Sequence, residues 1–180
     1  PIIALFCLIL ATLFHVKHID LGLYNTLKWL ELCLLFAYVW FNLKEKLMFH
    51  VTLWILLGSG VFQAVIGIWQ FHAQHSLNLS WLGEYVSQMG TPGLATIAYQ
   101  GEKLIRAYGT MPHPNVLAGF LLVSLIAGLY LLPRETMFHR TRVPLVSCGT
   151  ILILLGILFT FSRIAWILAF LFLIAYFLFH

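Results

Sequence analysis

Long apolar runs separated by polar loops dominate the chain. Six hydrophobic segments stand out, at roughly 1–14, 29–43, 47–71, 114–132, 143–160 and 164–179. An α-helix rises 1.5 Å per residue, so about 20 apolar residues cross a hydrocarbon core of about 30 Å. Such segments must be helical in lipid, because open strands would leave backbone groups unpaired. The pattern predicts an all-α, polytopic transmembrane helix bundle with about six spans.

The first and last segments predict that the chain is an internal fragment of a longer protein. The first, "PIIALFCLILATLF", has no basic leader or small-residue cleavage site, so it does not resemble a signal peptide. It is also shorter than a full span, which indicates a truncated first helix. The last residues, "LIAYFLFH", lie within an apolar run.

A break is predicted between the last two segments. From Val143 to His180 the only charged residue is Arg163. One continuous helix over these 38 residues would be about 57 Å long, nearly twice the thickness of the hydrocarbon core. It would also place an arginine in lipid, at a cost of at least about 2.5 kcal/mol. We therefore predict a helical hairpin that turns within a few residues of Ser162.

Composition supports the membrane interpretation and excludes a nucleic-acid-binding role. The chain is 62% hydrophobic and 9% charged, with a mean hydropathy of +0.96, whereas soluble domains carry about 25% charged residues. The 180 residues therefore form a single transmembrane domain, with no room for a soluble one. The net charge of +4 comes from basic residues spread over several loops rather than gathered on one face.

The density of basic residues predicts the orientation. The segments 44–46 and 133–142 hold five basic residues in 13 positions, and alternating crossings place them on the same side. The other side, with 15–28, 72–113 and 160–163, has five basic residues over 60 positions. The positive-inside rule then makes the first side cytoplasmic. The long loop 72–113, rich in glycine and aromatic residues, is expected to form an extracytoplasmic cap before the fourth span.

Two polar segments lie where this topology brings them together. "RAYGTMPHPN" (106–115) directly precedes the fourth span, and "TFSR" (160–163) lies two crossings later. Two crossings return the chain to the same side, so Arg106, Asn115, Ser162 and Arg163 are expected to face one outer boundary. Two guanidiniums there suit a lipid-linked phosphate or diphosphate, because arginine binds phosphate through two parallel hydrogen bonds. Each arginine taken alone is also compatible with an interfacial or solvated loop charge.

These two segments carry a resemblance to a known family. "RAYGTMPHPNVLAGFLL" and "LFTFSRIAWILAF" resemble the R-x-x-G-T-x-x-x-P-N-x-L-A and T-x-S-R-x-x-W segments of the bacterial O-antigen ligase/polymerase family, in order and spacing. The resemblance covers about residues 75–179. It implies a multi-pass glycosyltransferase of the bacterial inner membrane, acting in cell-surface polysaccharide biosynthesis. Such an enzyme moves a glycan from a polyprenyl diphosphate carrier to an acceptor hydroxyl at the outer face.

The resemblance also implies roles for individual residues. Arg163 matches the family arginine that contacts the diphosphate of the carrier, and Arg106 matches the arginine of the first segment. Supporting roles are expected for Gly109, Thr110, Asn115 and Ser162, and Asn115 is in addition a candidate helix cap. The family's catalytic base lies in a later loop, expected beyond His180, and His113 is only a weak candidate. The implied partners are a polyprenyl-diphosphate-linked glycan, a glycan or lipid acceptor and membrane lipid, with no metal or other cofactor.

Other polar and small residues are better explained by structure than by chemistry. The pairs His15/His18 and His72/His75 have helical spacing, but no further ligand completes a metal site. The cysteines Cys7, Cys33 and Cys148 lie in apolar runs at unrelated spacings, as expected for isolated thiols. Asn78 begins a glycosylation pattern that is common by chance, and Lys28 and Glu31 are expected to pair locally. Gly58, Gly60, Ala64 and Gly67 form a small-residue stripe typical of helix packing.

Three other interpretations remain beside that of a ligase. An O-antigen polymerase shares the same segments, and the sequence does not separate the two. A transporter or flippase segment would be expected to show charged residues at mid-span or paired broken helices, and only Gly58-Ser59-Gly60 resembles such a break. A bundle without a site would not need two outer arginines beside tight turns.

Overall fold

The computed structural model describes residues 19–42, 45–84, 90–99, 101–138 and 142–179. Within these ranges the chain is mostly helical. The α-helices are α1 (Ile19–Asn42), α2 (Lys46–Ala73), α3 (Pro114–Phe138), α4 (Val143–Phe159) and α5 (Arg163–Phe179), and the strands are β1 (Thr96–Tyr99) and β2 (Glu102–Ile105). The chain divides into two compact units between His50 and Val51.

Helix α1 makes up most of the described part of the first unit. It begins at Ile19, ten residues before the predicted span at 29–43, so part of the predicted loop 15–28 is helical. The expected local pair is confirmed, since Lys28 Nζ lies 2.9 Å from Glu31 Oε2. The predicted first span, at 1–14, lies outside the described residues.

Helices α2, α3 and α4 pack closely in the second unit because small residues let their backbones approach. A Cβ on Gly60 would lie 2.6 Å from Ser124 Oγ, and one on Gly156 would lie 2.8 Å from Ala64 Cβ. A Cβ on Gly67 would lie 3.2 Å from Leu117. The predicted packing stripe is therefore confirmed at Gly60, Ala64 and Gly67. It is wrong at Gly58, where a Cβ would meet nothing within 4 Å.

The core and the surface of this unit are both apolar. Side chains such as Leu121, Leu125 and Ile153 are fully buried between the helices. Large apolar side chains on the outward faces are nevertheless exposed, including Val65, Val123, Ile151, Ile167 and Phe170. Helices that are apolar on every face are typical of proteins embedded in a membrane or a larger core.

Two of the described helices are long and apolar enough to cross a membrane. They are Lys46–Ala73 and the part of α3 from Pro114 to Leu132. Helices α4 and α5 are also apolar but contain only 17 residues each. Helix α3 continues to Phe138, so the first part of the predicted loop 133–142 is helical.

The segment between α2 and α3 contains structure that the hydrophobic pattern did not predict. A 3-10 turn forms at Ser80–Leu82, and β1 and β2 pair as an antiparallel hairpin with Thr96 opposite Ile105. The all-α prediction is therefore wrong for this segment. The two strands are joined through positions 100 and 101, and Gly101 has a φ of +86°. Such a two-residue connection with glycine favours a tight hairpin.

The predicted break between the last two segments is confirmed. Helix α4 ends at Phe159 and α5 begins at Arg163, so the turn contains Ser162. Phe161 adopts a left-handed conformation with a φ of +51°. Leu154 and Ile157 of α4 line one groove with Trp166 and Leu173 of α5, so the two helices run beside each other as a hairpin.

Candidate functional site

The two polar segments singled out in the sequence meet at one end of the second unit. The chain between β2 and α3 passes directly over the turn between α4 and α5. The backbone N–H of Ala107 donates to the Phe159 carbonyl at 3.0 Å, and Arg106 Nε donates to the Thr160 carbonyl at 2.6 Å. These contacts join residues more than fifty positions apart and satisfy carbonyls at the C-terminal end of α4.

The Arg106 guanidinium is half-buried and held at two points. In addition to the Thr160 carbonyl, it binds Asn115, with Nη2 donating to Oδ1 at 2.9 Å. Burial lowers the pKa of Arg106 below its ordinary value, but arginine stays charged at neutral pH. A guanidinium has five N–H donors, and these two bonds leave three. The described residues provide no hydrogen-bond partner for those three, so they are available to an anion.

Arg163 is placed by the turn rather than by partners of its side chain. It is the first residue of α5, and its side chain is exposed. Among the described residues it forms no ion pair. The turn before it is closed locally, since Thr160 Oγ1 donates to the Ile157 carbonyl at 2.6 Å and accepts from Ser162 N–H at 3.4 Å.

Trp166, the last residue of the second motif, locks α5 against α4. Its indole Nε1 donates to the Ile157 carbonyl at 3.1 Å, across the turn. Its backbone N–H donates to the Ser162 carbonyl at 3.0 Å and so forms the first helical bond of α5. Trp166 and Ser162 therefore fix where α5 begins, and with it the position of Arg163.

Gly109 and Thr110 of the first motif have structural roles. Gly109 has a φ of +60°, a conformation that side chains disfavour. A Cβ there would also lie 2.5 Å from Gln63 Oε1 and 3.0 Å from Leu117 Cδ1. Thr110 accepts a hydrogen bond from Gln63 Nε2 at 2.7 Å through its hydroxyl oxygen. Both residues allow the chain to lie directly on α2.

His113, not Asn115, caps helix α3, and this corrects the sequence interpretation of Asn115. The His113 carbonyl accepts the N–H groups of Val116 and Leu117, and His113 Nδ1 accepts the Asn115 N–H at 3.1 Å. The Asn115 side chain is thereby free to hold Arg106. In neutral imidazole an accepting Nδ1 leaves the ring proton on Nε2, and the His113 ring in this arrangement contributes to the cap of α3.

Sequence reasoning missed four polar residues that surround the first motif. Gln63 and Gln70 of α2 bond to the backbone at 105–110, as does Gln74 directly after the helix. The buried carboxylate of Glu84 accepts a hydrogen bond from Gln70. The available signal was the presence of Gln63 and Gln70 inside an apolar segment. An amide buried among apolar residues is costly unless it is hydrogen-bonded, so each implied a partner elsewhere.

The remaining polar candidates show no constellation for metal binding. The part of the chain that the structure describes contains no group of three or more His, Cys, Asp or Glu side chains suited to a metal ion. The rings of Trp69 and His75 pack edge to face, as do those of His72 and Phe159. Cys33 and Cys148 are free thiols, whereas His15, His18 and Cys7 lie outside the described residues.

Comparisons with models of protein families, with curated proteins and with solved structures found no match. Two arginines from distant parts of the sequence lie at one end of one helical unit, and one of them has unused donors. Such an arrangement can bind an anion with several oxygens, because guanidiniums recognise phosphate and carboxylate groups through parallel hydrogen bonds.

Proposed function

We propose that this chain is part of a membrane glycosyltransferase of the O-antigen ligase type. It moves a glycan from a polyprenyl diphosphate carrier to an acceptor hydroxyl at the outer face of a bacterial inner membrane. The observation that carries the proposal is the bond from Arg106 to the Thr160 carbonyl, at 2.6 Å. It joins the two motifs that resemble that family, so that both arginines lie at the same end of the helices.

The helices and their surfaces support the proposed membrane setting. Two helices are long enough to span, and apolar side chains cover outward faces of every helix in the second unit. In the proposed topology the described helices account for five of about six spans, and residues 72–113 form the outer cap. Helices α4 and α5, with 17 residues each, reach about 25 Å, close to the thickness of a hydrocarbon core.

The two arginines act on the leaving group in the proposed reaction. The acceptor hydroxyl oxygen attacks the anomeric carbon, the bond from that carbon to the diphosphate oxygen breaks, and the electron pair stays on the diphosphate. The free donors of Arg106 and the exposed guanidinium of Arg163 neutralise the charge that develops there. The hydroxyl proton passes to a base, a role that we assign to none of the described residues.

Glycan transfer by arginine variants tests this role. We expect Arg106→Ala and Arg163→Ala each to lower transfer by about 10- to 150-fold, the effect of one lost charge-assisted contact in the transition state. Lysine at either position should rescue only partly, because an ammonium cannot bind two oxygens in parallel. If both arginines bind one diphosphate, the double variant should lose less than the product of the single losses.

The assay uses membranes of the source cells, with each substitution introduced into the native gene and with expression levels matched. Arg142→Ala is the matched control, because Arg142 is also exposed but lies at the opposite end of α4. It should retain full transfer. Full activity of both single variants, Arg106→Ala and Arg163→Ala, would exclude a role for the two arginines in catalysis.

The proposed topology has its own test. In a background with Cys7, Cys33 and Cys148 replaced by serine, we place single cysteines at Tyr99 and Arg142, both exposed positions. A membrane-impermeant thiol reagent added outside should label the cysteine at 99 and not the one at 142. Equal labelling of the two positions in intact cells would contradict the proposed orientation.

A further inference from the structure

Three glutamines hold the chain segment that carries Arg106: Gln63 and Gln70 lie in helix α2, and Gln74 follows directly after its last residue. We call residues 105–110 the tethered segment. Gln74, Gln70 and Gln63 bond to it in sequence from one end to the other, and each uses its side-chain oxygen to accept a backbone N–H. The amide side chains thus take the place that a neighbouring β-strand would have along this stretch of backbone.

Gln70 is the middle one of the three glutamines, and all of its hydrogen-bonding positions are occupied. Its Oε1 accepts the N–H groups of Tyr108 at 3.2 Å and Gly109 at 2.7 Å. Its Nε2 donates to the Gly109 carbonyl at 2.8 Å and to Glu84 Oε1 at 2.7 Å. A primary amide can accept two hydrogen bonds and donate two, so every bonding position of Gln70 is filled. The side chain is only 1% exposed.

Glu84 fixes the orientation of the Gln70 amide. Its carboxylate is buried and accepts the Leu77 N–H at 2.7 Å and the Leu79 N–H at 2.6 Å, besides the bond from Gln70. A carboxylate only accepts hydrogen bonds, so it requires the Gln70 nitrogen on its side. The Gln70 oxygen must then face the tethered segment, where the N–H groups of Tyr108 and Gly109 lie.

The other two glutamines fix the ends of the tethered segment. Gln74 accepts the Ile105 N–H at 2.7 Å and donates to the Ile105 carbonyl at 3.3 Å. Gln63 accepts the Thr110 N–H at 2.9 Å and donates to the Thr110 hydroxyl at 2.7 Å. Arg106 therefore lies between backbone groups that are held on both sides. Its own N–H donates to the Ala95 carbonyl at 3.3 Å.

We propose that Gln70 is a positioning residue for Arg106. Gln70 fixes the Arg106 guanidinium over the turn between α4 and α5, where the guanidinium can bind a diphosphate. Packing alone does not explain a glutamine at position 70, because an apolar side chain would fill the same space without the desolvation cost of an amide. The value of the amide lies in the geometry that it imposes on Tyr108 and Gly109, two and three residues after Arg106. This inference rests on the proposed function.

Hydrogen exchange of backbone amides tests the positioning without reference to catalysis. In the purified protein in lipid nanodiscs, Gln70→Leu should speed exchange of the Tyr108 and Gly109 amides by about tenfold or more. The Ala107 amide, which bonds to α4, should also exchange faster. Ser59→Ala is the matched control, since Ser59 lies on the same helix and bonds only within it. Unchanged exchange at 107–109 in Gln70→Leu overturns the proposal.

Transfer kinetics then show whether the positioning acts through Arg106. Gln70→Leu should lower transfer by about tenfold, mainly through a higher KM for the donor, when Arg106 is present. In the Arg106→Ala background the same substitution should cost less than about twofold, because the residue that it positions is gone. An equal loss in both backgrounds would make Gln70 merely structural and overturn the proposal.

If Gln70→Leu does not fold, a less disruptive substitution at Gln74 provides the same test. Gln74→Leu removes the bonds at Ile105 from a half-buried position, and it should show the same dependence on Arg106. Independence from Arg106 in this variant counts against the proposal as well. If Arg106→Ala itself retains full transfer, Arg106 has no role in the proposed reaction, while the exchange measurements still decide whether Gln70 holds the tethered segment.

Discussion

The two arginine-bearing segments lie at the same end of the molecule but are held there by different kinds of interaction. The tethered segment is fixed by side chains from α2 and from the residue directly after it, more than thirty positions away in the sequence. The turn that carries Arg163 receives the bonds from Arg106 and Ala107, but it is otherwise closed by bonds over two to four positions and by the indole of Trp166. Arg106 is therefore coupled to the packing of several helices, whereas Arg163 depends mainly on where one helix starts.

The largest expected change in stability comes from adding a methyl group at Gly109, where the tethered segment lies against α2. Gly109→Ala should lower the free energy of unfolding by about 2–4 kcal/mol, because alanine disfavours a positive φ and its Cβ would overlap Gln63. Equilibrium denaturation in mixed micelles measures the change. Gly58→Ala, in open space on the same unit, should be neutral or stabilising by up to about 1 kcal/mol. Similar losses in both variants would mean that the segment is not closely seated.

Removing each arginine compares the two segments directly. Arg106→Ala should destabilise the protein by about 1–3 kcal/mol, because it leaves the buried Thr160 carbonyl without that donor. Arg163→Ala should change stability by less than about 0.5 kcal/mol, since its side chain is exposed. The same denaturation experiment serves for both. Equal destabilisation would remove the difference between the two segments.

The smallest expected effect concerns the local strain in the turn. Phe161 has a φ of +51°, and its ring lies 5.4 Å from Phe71 and 5.8 Å from Trp166. Substitution by alanine or glycine removes the same ring contacts, but only glycine relieves the backbone. We expect Phe161→Gly to be more stable than Phe161→Ala by about 1 kcal/mol in the free energy of unfolding. A more stable alanine variant would show that the turn is not strained.

Length and charge were sufficient to predict the turn between α4 and α5. A helix through Arg163 would have been too long and would have placed its charge in an apolar run, so a break near Ser162 was the remaining solution. The meeting of the two motifs followed from the same reasoning, since two crossings return the chain to one end. Neither inference needed a particular side-chain contact, and both agree with the structure.

The contacts that position Arg106 were beyond the reach of the hydrophobic pattern. Which backbone group Gln70 binds depends on how close α2 lies to the tethered segment, and that distance is set by tertiary packing at Gly67 and Gly109. The pattern likewise did not predict the β-hairpin between α2 and α3, because four-residue strands are too short for a periodic signal. The ends of α1 and α3 differ from the predicted spans because a helix does not have to stop where its apolar stretch does.

The hydrogen bonds from Arg106 and Ala107 to the end of α4 have a consequence for the order of biosynthesis. A chain is made from its N-terminus, so these donors exist before the carbonyls of Phe159 and Thr160 that they bind. When the end of α4 is synthesised, the groups that bind its last carbonyls are already present in the segment before α3. The end of α4 is thus synthesised after the residues that bind it, and the exposed Arg163 follows after both.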